Sequence, residues 1–148
     1  MRASAEERLY ARWPALVDRY FESGFESLEP RDRIFFLVFH LLSQIDDGGL
    51  EQYFCNEGGQ YADRAAEALD SVGCNAAASR LRKAISQFPD GRIPEDEAER
   101  NQVVDQLPDD ALAVWDAVSE SIGGDTDSIL ERLDAFLAPS HHTVNKAQ

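Results

Sequence analysis

A chain of 148 residues with 28 acidic and 14 basic side chains, a formal net charge of −14, reads as one domain. That surplus of carboxylates excludes nucleic acid and anionic membranes as direct partners, because repulsion from phosphate would replace counterion release. It favours a basic protein, or a basic patch on one, as the partner.

A chain of this length buries roughly 70% of its unfolded surface, so neither disulfides nor metals are needed to hold it. Cys55 and Cys74 have no CxxC spacing and read as reduced thiols. The first twelve residues are charged throughout and lack an apolar h-region, which leads to the expectation of a cytoplasmic protein. The apolar run Ile34 to Leu42 is far short of the roughly 20 residues of a membrane helix.

In chain order, Ser4 is the expected cap of a first helix, with Glu6 and Glu7 in its first turn. Pro14 is expected to break or kink it near Trp13. A second piece then carries Leu16, Val17, Tyr20 and Phe21 as its apolar stripe and stops at Gly24. Glu29-Pro30 opens the next helix, and the nearly all-round apolar residues from Ile34 to Ile45 mark it as buried and central. It is expected to span 30–46 and to stop at Asp46-Asp47-Gly48-Gly49, with a local donor, such as a glycine N–H, holding one aspartate.

Leu50, Tyr53 and Phe54 then place three apolar side chains on one side of a two-turn helix, between glycine pairs Gly48-Gly49 and Gly58-Gly59. Two alanine-rich stripes, 61–72 and 77–88, predict an αα-hairpin with Gly73 as the C′ residue and Asn75 as the next N-cap. After Pro89-Asp90-Gly91 the composition changes. Residues 94–137 hold thirteen acids and only Arg100 and Arg132 as bases, a net −11. Three helices are predicted there, over roughly 95–106, 109–122 and 126–137. The whole is an all-α fold, a single compact domain (1–139) of about eight helices around a buried central helix. Residues 140–148 are a loose tail.

The acidic helices are the most informative feature. Glu95/Glu99, Asp105/Asp109, Asp116/Glu120 and Asp127/Glu131 are like-charge pairs at i, i+4, each costing a helix roughly 0.2–0.5 kcal/mol. Such carboxylates stand about 5–6 Å apart, close enough to phosphate spacing for a rough copy of a phosphate track. The candidate partner-binding face comprises Asp105, Asp109, Asp110, Asp116, Glu120, Asp125, Asp127 and Glu131. From charge alone, a purely solubilising surface is the reading to be preferred over a specific partner. Asp125-Thr126-Asp127 lacks the remaining ligands of a calcium loop and reads as a helix cap. His40 reads as a buried, hydrogen-bonded histidine, and His141-His142 have nothing near them to complete a metal site. Cys55 has no basic neighbours to activate it. No cofactor or catalytic group is expected. Gln52, Asn56 and Glu57 are the polar residues that would line a pocket at the glycine corner.

The stretch Asp47-Gly48-Gly49-Leu50-Glu51-Gln52-Tyr53-Phe54-Cys55-Asn56-Glu57-Gly58-Gly59 resembles the N-G-G-F-x-Q-[YF]-[FL]-x-N-S-x-G signature of a bacterial domain-of-unknown-function family. The best-known member of that family is a DNA-mimic protein. Ala68 to Cys74 is similar to its A-L-x-x-I-G-A segment, and Lys83-Ala84-Ile85 through Phe88-Pro89 to its K-A-x-x-x-F-P ending. The departures are Asp47 for Asn, Leu50 for Phe, Glu57 for Ser and Cys74 for Ala. The resemblance implies an all-α fold, a homodimer, no enzymatic activity, and occupation of the DNA-binding surface of a transcription factor. Its signature residues Gly48, Gly49, Gln52, Tyr53, Phe54, Asn56 and Gly59 read as mainly structural. Two alternatives stay open: an inhibitor or immunity-type protein against a basic toxin or nuclease, and a small-molecule or enzymatic site at the corner.

Overall fold

The computed structural model describes residues 3–139, and among these there is no β-strand. The described residues form seven α-helices: α1 (Ala5–Ser23), α2 (Pro30–Cys55), α3 (Ala62–Ser71), α4 (Asn75–Ile85), α5 (Glu97–Asp105), α6 (Asp109–Gly124) and α7 (Thr126–Leu137). Short 3-10 turns at Phe25–Ser27, Gly59–Tyr61 and Pro89–Gly91 connect them. Helix α2 is the axis of the molecule. It packs against α1, α3, α5, α6 and α7, while α3 pairs with α4, α4 lies on α6, and α1 lies on α7. The expected tail, with His141 and His142, lies outside the described residues.

Helix α1 begins with a capping box: Ser4 Oγ accepts from the Glu7 N–H at 3.1 Å and Glu7 Oε1 from the Ser4 N–H at 2.9 Å. The break expected at Pro14 does not occur, and the two expected pieces form one helix. Leu9, Trp13, Leu16 and Tyr20 recur every three or four residues across the proline. Trp13 and Tyr20 stack on Phe36 of α2. Pro14 itself faces solvent, so tertiary packing on the opposite face offsets the one backbone bond it cannot make. Phe21, expected in the stripe, is instead 71% exposed.

The break expected at Asp46–Gly49 falls at Gly49, a kink where the backbone leaves helical geometry with a φ of 79° that suits glycine; beyond it a two-turn piece of α2 runs to Cys55. The kink diverts the Leu50 N–H from its helical partner to Ser119 Oγ of α6, at 2.9 Å. Ser119 in turn donates to the Trp115 carbonyl at 2.7 Å, and Trp115 Nε1 donates to the Ala84 carbonyl of α4 at 2.8 Å. Beyond the kink Leu50, Tyr53 and Phe54 are all buried, as their spacing predicts. Asp47 is held by Gln52 Nε2 at 2.8 Å rather than by a glycine N–H.

The αα-hairpin is present. Ala62, Ala65, Ala66, Ala77, Ala78 and Ala84 are buried within it. Gly73 (φ 86°) ends α3 in a Schellman arrangement, with Cys74 N–H on the Leu69 carbonyl at 2.8 Å. Asn75 is not the N-cap. It is the first residue of α4, and its amide donates to Asp70 Oδ1 at 2.7 Å. In the acidic part, α5 starts only at Glu97 because Asp96 caps it, accepting from the Glu99 N–H at 2.9 Å. Asp125 occupies the N-cap position of α7 without capping it; its carboxylate lies 3.9 Å from Arg80.

Candidate functional site

All eight residues of the predicted acidic face are exposed. Two of the four like-charge pairs do not share a helix: Glu95 precedes α5, and Pro108 separates Asp105 from Asp109. Asp116/Glu120 on α6 and Asp127/Glu131 on α7 remain as true i, i+4 pairs. On α6, at 100° per residue, Asp109, Asp116 and Glu120 fall on one line opposite buried Ala111, Trp115, Val118 and Ile122. On α7, Glu131 points away from Ile129, Leu130, Leu133 and Leu137, whereas Asp127 stands at the edge of that stripe, beside Leu130. Asp109, Asp110 and Asp127 also lie in first turns, where the helix dipole favours them. Asp105 stands apart at the end of α5, and Asp110 is turned to the flank of α6.

The basic residues of α4 do not cancel these charges. Arg82 is bound to Asp70 at 2.7 Å, and Arg80 reaches only Asp125. Arg80 and Lys83 also line a shallow groove on the flank of α6 to which Asp110 is turned, beside Ala113 and Ala117. Among the described residues, the other seven acids of the face have no cationic partner within 4 Å.

The glycine corner is built by close packing. A Cβ on Gly59 would stand 2.5 Å from the Tyr53 carbonyl oxygen and 2.9 Å from Phe54 Cα, so no side chain fits. Gly58 (φ 101°) lies directly against the His40 ring. His40 Nε2 donates to the Glu57 carbonyl at 2.8 Å, and burial lowers its pKa to about 4, against the pull of Glu57. Gln52 and Asn56 both donate to Gln44 Oε1, at 3.2 and 2.8 Å, and Gln52 also holds Asp47. The corner's amides are therefore largely engaged within the chain. The Cys55 and Cys74 thiols are both pushed up by burial, which disfavours thiolate.

The residue that carries the corner is Arg100, which the sequence reading passed over as one of two bases among acids. It is 1% exposed. Its guanidinium donates to the carbonyls of Phe54 at 2.5 Å, and of Asn56, Pro94 and Glu95 at 3.0 Å each. Two of these are carbonyls at the end of α2, where the helix dipole attracts a cation. Arg100 thereby ties α5 and its leading loop to the corner.

Two cavities flank α2 where Ser43 and Gln44 lie, and both are lined by that pair. One, of about 560 Å³, is walled by aromatic rings with Asn56, Glu57 and Glu97 at its polar side. The other, of about 610 Å³, holds Glu6, Asp46, Asp47 and Asp127. Of the three polar residues expected to line a corner pocket, Asn56 and Glu57 do so and Gln52 does not. Among the described residues no group of three or more His, Cys, Asp or Glu could hold a metal ion, and no helix is long and apolar enough to cross a membrane.

These features define an all-α protein with exposed acidic helices mounted on a kinked, aromatic-packed central helix. Residues 26–140 match the model of the DMP19-like protein family, and the chain belongs to that family. The match encloses the signature stretch and extends through all three acidic helices. No curated protein and no solved structure matches the chain.

Proposed function

We propose that the protein is an acidic binding module that occupies the DNA-binding surface of a basic protein, presenting carboxylates where that partner receives phosphates. The observation that carries this reading is that all eight acids of the predicted face are exposed and that seven of them have no cationic partner within 4 Å among the described residues. Membership of the DMP19-like family is consistent with a DNA-mimic role. Electrostatic complementarity of this kind speeds encounter and rejects wrong partners. The same surface would serve an inhibitor of a basic toxin or nuclease. A catalytic role at the glycine corner has less support, because Gln52 and Asn56 spend their amide donors on Asp47 and Gln44. The reading includes a homodimer in a bacterial cytoplasm; sedimentation measures the first of these.

Capture of partners from a bacterial lysate, eluted by a salt gradient and challenged with duplex DNA, tests the proposal. A basic DNA-binding protein displaced by DNA is expected, and Asp116→Asn with Glu120→Gln should weaken its capture about tenfold, or about 1.4 kcal/mol. A captured nuclease or toxin that loses activity on binding would favour the inhibitor reading. Capture indifferent to salt would overturn both.

A further inference from the structure

The exposed acids of α6 and α7 account for attraction to a basic surface but not for the register in which two proteins lock. We propose that the cleft formed by the two cavities along Ser43 and Gln44 is a seat for successive arginine or lysine side chains of a basic polypeptide. The proposal rests on the reading above that the partner is a basic protein.

The aromatic cavity is suited to a guanidinium or ammonium group on an apolar stem. Phe36 is stacked on Tyr20 (centroids 4.4 Å, planes 13° apart) and on Trp13 (5.8 Å, 15°), and this buried stack holds the half-buried Trp13 ring in the cavity wall, where it and the exposed Phe21 ring are the ones a ligand can reach. Ring faces attract cations, and arginine in particular stacks on them. Beside that wall, Tyr20 OH donates to Glu57 Oε2 at 2.5 Å, which fixes one carboxylate in place before any ligand arrives. Glu97 supplies a second carboxylate. At about 560 Å³, the cavity falls within the roughly 300–1,000 Å³ of ligand sites. Among the described residues no lysine or arginine lines it, and burial keeps His40 neutral at physiological pH.

The second cavity continues the pattern. Glu6, Asp46, Asp47 and Asp127 come from α1, α2 and α7, and again no basic residue among the described ones lines the space. The two large apolar side chains exposed among the described residues stand one at each cavity: Phe21 (71%) at the first and Tyr10 (55%) at the second. Rings in those places suit the methylene stems of long cationic side chains. The remaining occupant to weigh is a second copy of this chain. It would bring a net −14 against six lining carboxylates, so electrostatics disfavours it.

The test titrates the full chain with a short arginine–glycine peptide and, as control, the same peptide with citrulline for arginine. Citrulline keeps the shape and removes the charge. The readout is the indole N–H signals of Trp13, which lines the cleft, and Trp115, which is buried and bonded to Ala84. The Trp13 signal should move and the Trp115 signal stay, with the citrulline peptide at least tenfold weaker. Glu57→Gln with Glu97→Gln should weaken arginine-peptide binding about fivefold, and the exposed Phe21→Ser should weaken it with the fold intact. An unmoved Trp13 signal, or equal binding of the citrulline peptide, would overturn the proposal. So would a Trp13 signal that shifts with protein concentration alone and stops doing so in Phe21→Ser, since the cleft would then be covered by a second copy. If the lysate partner is lost on changing Asp116 and Glu120 while the arginine peptide leaves Trp13 untouched, only the cleft proposal fails. If the peptide binds the cleft but no DNA-binding protein is captured, only the DNA-mimic reading fails.

Discussion

Arg100 carries a full charge into the interior with no carboxylate among the described residues to meet it, and is satisfied by four backbone carbonyls. Arg100→Met should therefore cost about 3 kcal/mol, because it removes charge-assisted bonds and strands buried carbonyls. The lysine variant should recover little, since one ammonium cannot spread over a guanidinium's fork of donors. Urea midpoints measure both, and a loss below 0.5 kcal/mol would mean that water replaces the side chain. Nothing in the sequence singles this residue out. An arginine flanked by Glu97 and Glu99 looks like a surface charge, and its destination depends on where α5 meets residues 54–56. His40 differs: an isolated histidine in an apolar run reads as buried and hydrogen-bonded, and the structure shows the hydrogen bond with the ring only half-buried, in the wall of the aromatic cavity. Its folded pKa of about 4 lies below the ordinary 6.5. The unfolded chain therefore takes up the proton first, and stability present above pH 6.5 is lost as pH falls toward 4. His40→Asn should flatten the difference in urea midpoint between pH 7 and pH 5.

At the scale of elements, the kink at Gly49 converts one helix into a support for two layers, and Ser119 repairs the break. Ser119→Ala leaves the part-buried Leu50 N–H without a partner and should cost about 1 kcal/mol. Faster hydrogen exchange at Leu50 is the sharper readout, because loss of packing alone would not single out that amide. The helices themselves were legible wherever a stripe repeated every three or four residues, as in the αα-hairpin and in α6 and α7. Local rules misplaced the boundary at Pro14, a strong breaker in isolation that sits in a helix whose apolar residues continue on the far side; burial of Leu16 and Tyr20 outweighs the local cost. At Gly48-Gly49 the breaker acts as its composition predicts: Gly49 leaves helical geometry, and Leu50, Tyr53 and Phe54 are buried on the piece beyond it. The cleft was only half legible: Asn56 and Glu57 were named, but the alignment of α1 beside Gln44 is a tertiary fact with no local signal.

Across the whole molecule, the acidic surface works against the fold that carries it. Relieving the Asp116/Glu120 pair should stabilise the protein by about 0.2–0.5 kcal/mol while weakening its hold on a basic partner. Opposite signs from one pair of substitutions, read by urea midpoint and by partner capture, separate a binding surface from a solubilising one. A coat that served only solubility would show the gain without the loss. Charge and scaffold are nevertheless not separable parts. Because Arg100 reaches from the acidic third to the end of α2, and Trp115 of α6 is pinned to α4, residues 97–139 cut loose would carry their carboxylates on helices with no inner face to rest on. New specificities can therefore arise by exchanging outward residues one at a time, whereas transplanting the electronegative helices onto another protein would deliver the charge without its geometry.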